Sequence, residues 1–315
     1  MAWQNVKWLA WLAKGGVKFG RSLTLGRQNL YMNEAELSEL LSKFGFSAQD
    51  QARFLSPKPK YAEPLFQLLG ADKVDSMDAS SYEHASFVHD LNEPLPPELR
   101  NCFDLVFDGG TLEHVFNFPE ALRSAMALVK VGGSLVSNQV FNNMVGHGFY
   151  CFGPEVFYQS LSEENGFVLK NVRIYERYPR SPWHQLPDPN TLKSRVRLIS
   201  WGLESEILIH AVKVADVPIF RRWPQQSDYL DAWSAPGDLP KAQNDAHIRL
   251  GVSTAGPLGS LKASAMRPLR RRALASPVLG RLGKYWLNVK NFGLRAQQTH
   301  MGIDDPFQGG GPPRA

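Results

Sequence analysis

The stretch Phe103 to Phe118, FDLVFDGGTLEHVFNF, limits the folds open to this chain more than any other. Leu105, Val106 and Phe107 form a short apolar run without alternation, as a strand buried on both faces requires. Asp108-Gly109-Gly110 stops the run, and a glycine pair permits positive φ and close backbone approach. Beyond the break, apolar residues return at helical spacing. Strand, glycine turn and helix in that order form the repeating unit of a parallel α/β sheet, which binds ligands at the carboxyl ends of its strands.

Comparable units occupy the chain on either side. Arg21 to Gln28 reads as the first strand with its turn, Lys73 to Ser80 as the second and Ala85 to Asp90 as the third. Ser134 to Val140, Phe167 to Tyr175 and Ile207 to Val214 follow as the fifth, sixth and last. Helices are predicted over Glu34 to Phe44, with Leu37, Leu40, Leu41 and Phe44 on one stripe, and over Tyr61 to Leu69. Pro119 to Lys130 is a third, with Met126 as a core residue, and another starts at Gly153 and runs to Glu163 or Glu164. Gln51 to Pro59 reads as a loop.

The two ends differ from this pattern. In residues 1–20, Trp3, Trp8, Leu9, Trp11 and Leu12 lie at helical spacing, with Lys7 and Lys14 between them. The run is too short and interrupted for a membrane span and lacks a cleavage site. An amphipathic helix packed on the domain is the first reading, and a Trp-rich helix at a membrane interface the second. Residues 21–215 form the α/β domain, and residues 216–245 an aromatic and polar segment folding back on it. Residues 246–315 read as a basic, weakly ordered tail with one short helix near Leu279 to Val289: no acidic residue stands between Ala246 and Ile303. That charge suits peripheral contact with anionic lipid; nucleic acid is disfavoured for want of any binding motif. Cys102 and Cys151, the only cysteines, make no CxxC pattern, which fits a reducing, cytoplasmic setting and offers no metal-ligand spacing.

FDLV followed by LEHV, then Pro119-Glu120-Ala121-Leu122 and the run Leu128 to Leu135, resembles the class I S-adenosylmethionine-dependent methyltransferases. The resemblance covers Leu23 to Val214. It implies a doubly wound, Rossmann-like α/β fold with a seven-stranded sheet, mostly parallel, whose last strand is antiparallel. It also implies S-adenosylmethionine as cofactor, with Asp108 and Gly109 beside it. In the family's (D/E)xGxG pattern Gly26 matches the first glycine, Thr24 stands in place of the acid, and Gln28 stands in place of the second glycine. Gln28 could donate to the cofactor carboxylate through its amide. Asp78, ending the second strand, matches the acid that accepts both ribose hydroxyls, against the alternative of a turn or cap residue. Asp90 matches the acid that holds the adenine amino group, and Leu91 is placed against the adenine face.

The acceptor side is read from residues. Phe141 to Phe157, FNNMVGHGFYCFGPEVF, follows a strand end and mixes hydrogen-bonding groups with aromatics between glycines, as a substrate pocket does. A packed aromatic loop is the equal alternative. His147 is the first choice of base and Tyr150 the second. His114 reads first as shaping the turn and second as a base. His84, His89 and His210 read as structural. Arg177 to Leu203 has no clear period and reads as a lid or partner loop. Its Arg177, Arg180, Arg195 and Arg197 suit an anionic sugar, unless they form a solvated basic face. The expected activity is methyl transfer to a small molecule, a sugar or glycan precursor. The departures at Thr24 and Gln28 leave a non-catalytic binding or assembly protein as the alternative.

Overall fold

The computed structural model describes residues 1–178, 180–192, 196–199, 203–234, 246–249 and 303–304. The strands are β1 (Gly20–Leu25), β2 (Ala71–Asp78), β3 (Phe87–Val88), β4 (Phe103–Asp108), β5 (Val129–Asn142), β6 (Phe167–Glu176), β7 (Trp183–Gln185), β8 (Val196–Ile199), β9 (Ser205–Lys213), β10 (Ala246–Arg249) and β11 (Ile303–Asp304). Nine of them form one sheet in the order β11-β7-β6-β9-β5-β4-β1-β2-β3, two more than the expected seven. β3, β2, β1, β4 and β5 run parallel, and β9 is antiparallel to both β5 and β6. The fold is the expected doubly wound α/β sheet. The chain moves outward from β1 to β3 and then returns to β1's other side at β4, which opens a crevice between the carboxyl ends of β1 and β4.

The β4 run is buried as its composition requires. Leu105 and Phe107 enter one apolar cluster and Phe103 and Val106 the other, so the strand feeds both faces of the sheet. On the first face lie α1 (Trp3–Lys14), α2 (Glu34–Lys43) and α4 (Glu63–Leu68), through Trp8, Leu12, Leu40 and Phe66. On the second lie α5 (Phe118–Leu128) and α6 (Pro154–Ser160), through Leu122, Met126 and Phe157. α2 starts at an Asn33–Glu36 capping box, and α5 has proline in its first turn. The expected loop after Gln51 gives way to α3 (Ala48–Leu55). Ser47 caps it by accepting from the Asp50 N–H at 3.0 Å, a serine N-cap that the sequence reading passed over.

α1 buries two of its three tryptophans, Trp8 and Trp11, and leaves Trp3 half-buried on the wall of a cavity. Trp8 stacks on Trp11 at 5.1 Å, and Trp183 meets them edge-on at 5.3 and 6.1 Å. The Trp183 Nε1–H donates to Gln4 Oε1 at 2.8 Å. Trp8, Trp11 and Trp183 are all buried, which removes the apolar face a membrane-interface helix needs. The same contact corrects the lid reading of Arg177 to Leu203. β7 pairs with β6 and wedges Trp183 under α1, so the first half of that segment is sheet and core. No helix among the described residues is long and apolar enough to cross a membrane.

Past β9 the chain turns back onto the second face. Phe220 enters the core, its N–H donates to Asn165 Oδ1 at 2.8 Å, and the Ser227 N–H donates to Glu155 Oε1 at 2.7 Å. In the tail, β10 pairs with β8 and β11 with β7. The expected helix near Leu279 to Val289 lies outside the described residues.

Candidate active site

A cavity of about 590 Å³ lies over the carboxyl ends of β1, β4 and β5, a volume in the range of small-molecule sites. The first five residues of the chain form one wall of it. Opposite stand Gln28 and Asn29 after β1, Gly109, Gly110 and Glu113 after β4, and His147 in the loop after β5. Asn138, Gln139, Tyr175 and Glu206 complete it from the strands.

The β1–β4 crevice is narrow. Gly26 has φ +66, the left-handed conformation that glycine allows. Gln28 folds back, its Nε2 donating to Leu25 O at 2.9 Å. The Thr111 hydroxyl donates to the same carbonyl at 2.8 Å. A Cβ on Gly109 would lie 2.5 Å from Gln28 Oε1. Gly109 therefore makes room for the Gln28 side chain, and Gln28 stands where a ligand would approach the glycine turn.

The carboxylates predicted to grip a nucleoside do not converge. Asp78 is half-buried and accepts the Ser80 N–H of its own turn at 3.4 Å. Asp90 is exposed and accepts from the Asn92 backbone at 2.9 Å and side chain at 2.7 Å, which hold its carboxyl below the usual carboxylate range. Leu91 is buried in the second-face core, so its side chain is packing and not an adenine platform. None of the three lines the cavity. Asp108 is buried and closes its own turn by accepting the Gly110 N–H at 3.3 Å and the Thr111 N–H at 2.8 Å. It also accepts from Ser137 Oγ at 3.1 Å and from Gln139 Nε2. Burial outweighs these donors and pushes its carboxyl up.

The acceptor side is better assembled. His147 lines the cavity with its Nε2 at 3.7 Å from Glu113 Oε1, and His114 Nε2 lies 4.0 Å from the same oxygen. The imidazole centres are 5.2 Å apart. The histidine side chains are 48% and 38% exposed for His114 and His147, whereas that of Glu113 is 1% exposed. Burial, then the charge of Asp108, raises the Glu113 pKa, and burial, then His147, lowers that of His114. Tyr150 is not available as a base: its hydroxyl donates to Phe116 O at 2.7 Å and its ring packs against Phe118 and Phe152.

Glu113 is the site residue that sequence reasoning missed, although it stands beside His114 in the motif. Three more come from the strands: Asn138 and Tyr175 lie inside the expected fifth and sixth, and Glu206 just ahead of the expected last one. Tyr175 donates its hydroxyl to Glu206, and the Asn138 amide donates to Glu206 at 2.7 Å. Tyr175 and Glu206 are cross-strand partners on β6 and β9, a pairing that sequence spacing does not display. Of the expected anion-binding arginines, the two whose side chains are described are already paired with carboxylates, Arg177 on the cavity wall itself. Arg177 pairs with Glu206 at 3.1 Å and Glu204 at 2.9 Å, and Arg180 with Glu39 at 2.7 Å. Arg27, the other arginine on the cavity wall, pairs with Glu63 at 2.6 Å. The side chains of Arg195 and Arg197 lie outside the described residues.

No protein-family model matches the chain, and no curated protein matches it. Solved structures do match. A candidate S-adenosylmethionine-dependent methyltransferase from Listeria monocytogenes is 12% identical, the match covering 65% of this chain and 98% of that one at a TM-score of 0.35. A candidate methyltransferase from Bacillus halodurans is 12% identical, with 67% and 100% covered at 0.33. The branched-chain polyamine synthase of Thermus thermophilus, solved with N4-aminopropylspermidine and 5'-methylthioadenosine, is 15% identical, with 69% and 57% covered at 0.34. Likeness at this level is loose, and the chemistry open to this edge rests on its own residues.

Proposed function

We propose that this chain is an S-adenosylmethionine-dependent methyltransferase acting on a small, uncharged, hydroxylated acceptor of the sugar class. The observation that carries the reading is the position of the cavity at the sheet's topological switch point, where doubly wound folds hold nucleosides. The cofactor would lie toward Gly26, Gln28 and Gly109, with the acceptor toward Glu113 and His147. Amides and carboxylates of Asn138, Gln139 and Glu206 favour hydroxyl groups, and the paired state of Arg27 and Arg177 disfavours an anion. Gln139 Oε1 is buried without a hydrogen-bond partner among the described residues, which leaves an acceptor for a ligand hydroxyl.

When bound, the cofactor supplies an electrophilic methyl group. The chain's own contribution is to position the acceptor oxygen and remove its proton. His147 is the base nearest the cavity, and Glu113 behind it orients and stabilises the imidazolium. Their 3.7 Å separation closes to a hydrogen bond with a small movement of the partly exposed ring.

Calorimetric titration with S-adenosylmethionine and with S-adenosylhomocysteine tests the reading. Binding of both in the micromolar range is expected; no heat at millimolar ligand overturns it. A second reading, a binding or assembly protein without catalysis, is favoured by the Gln28 side chain across Gly109. It predicts no heat with either ligand in the wild type and none after Gln28→Gly.

A further inference from the structure

We propose that Glu113, His114 and His147 form a site for one divalent transition-metal ion at the edge of the cavity. One donor atom from each residue lies within 4.8 Å of the others. Bonds of about 2.0–2.1 Å to a tetrahedral ion would set neighbouring donors about 3.3 Å apart. The His147 and His114 nitrogens stand 3.7 and 4.0 Å from Glu113 Oε1, and all three donors lie within 4.8 Å of one another, so an ion would draw the two partly exposed imidazoles inward to complete the geometry.

A second observation, independent of that spacing, points to a bound cation. Glu113 is 1% exposed, and its Oε2 has no hydrogen-bond partner among the described residues. A buried carboxylate oxygen without a donor is costly, and an ion held by both oxygens of Glu113, Oε1 facing the histidines and Oε2 beside it, would satisfy it. The backbone holds the two segments together before any ion arrives. Glu113 O accepts the Phe149 N–H at 2.8 Å and the Tyr150 N–H at 3.3 Å. Between His147 and these amides stands Gly148, where a Cβ would lie 2.7 Å from Glu113 O. Only glycine lets the loop approach this closely, and the approach is what carries His147 to Glu113. A clamp of this kind fixes ligand positions at little entropic cost on binding.

Two imidazoles and one carboxylate select among metals. They suit zinc, cobalt, nickel or ferrous iron, whereas magnesium and calcium prefer oxygen donors alone. Glu113 and His147 also line the cavity, so a coordination position left free by the protein is open to whatever enters it. The hydroxyl oxygen of the acceptor fits there. That role rests on the methyl-transfer reading and replaces His147 as base there, since an imidazole whose lone pair is held by the ion cannot take the acceptor's proton; binding of the ion does not depend on that reading.

The test uses the full chain, freed of metal with a chelator and titrated with cobalt chloride while its visible absorption is followed. One equivalent is expected to produce ligand-field bands, which zinc chloride then abolishes by displacement. His147→Ala and His114→Ala, at partly exposed positions, should keep the wild-type circular dichroism spectrum and bind cobalt at least about tenfold more weakly. Glu113→Gln should also weaken binding; because that position is buried, its result counts only where the dichroism spectrum is unchanged. Absence of bands with wild-type protein overturns the proposal, as does wild-type affinity in both histidine variants. Calorimetry with S-adenosylhomocysteine on the same metal-free protein tests the cofactor reading separately, and either result can fail without the other.

Discussion

At the ends of β2 and β3, Asp78 and Asp90 accept hydrogen bonds from their own turns and stand partly or wholly in solvent. Just past β4, Glu113 is buried with one oxygen lacking a donor and two histidines within 4 Å of the other. These two halves of one sheet edge hold carboxylates in opposite states. The first half is self-sufficient: its acids organise backbone turns whether or not a ligand comes. The second keeps a buried carboxyl oxygen without a partner among the described residues next to a cavity. Both halves place carboxylates near the carboxyl ends of strands, so that placement does not by itself mark a binding residue. What marks it is whether the local backbone has already used the oxygen atoms.

Asp108 stands between the halves and should give the largest effect. Asp108→Ala leaves two backbone N–H groups, the Ser137 hydroxyl and the Gln139 amide without their acceptor. A loss of about 3 kcal/mol in urea denaturation is expected. A loss below about 1 kcal/mol would show that the turn is held by its glycines alone.

Asp78→Ala asks whether the self-sufficient half also touches ligand. If the ribose reaches it, S-adenosylmethionine binding should weaken by about 1–3 kcal/mol in calorimetry. Equal affinity would place the ligand wholly on the β4 side. Gln28→Gly opens the crevice and should tighten binding roughly fivefold to tenfold, about 1 kcal/mol. Weaker binding would instead mark Gln28 as a donor to the cofactor carboxylate. Asp90→Ala should be the smallest: an exposed residue whose partner is Asn92 should change stability by less than about 0.5 kcal/mol. A larger drop would break the view that this end of the edge holds only its own turn.

Much of the fold was legible because it depends on local pattern. The buried run of β4, the glycine stop and the stripe of α2 are properties of neighbouring residues, and the structure keeps all three. The insertion after β6 was not legible. Trp183 has no periodic context of its own, and its burial is set by Trp8 and Trp11, far away in the chain. The site divides in the same way. Gly26, Asp78, Asp90 and Asp108 were found at their strand ends, yet their engagement with their own turns depends on backbone geometry. Tyr150 looked like a base until its hydroxyl met Phe116 O.

The sequence alone determined that strands and helices alternate, that β4 is buried on both faces, and that Glu113 and His114 follow a glycine turn at a carboxyl edge. Those are consequences of hydrophobic period and backbone freedom, which act over a few residues. Only the tertiary structure decided that His147 comes within 3.7 Å of Glu113 and that Gln28 lies across Gly109. Both depend on how loops from separate strands pack against each other, where the contact distance is set by the whole sheet and not by any one segment.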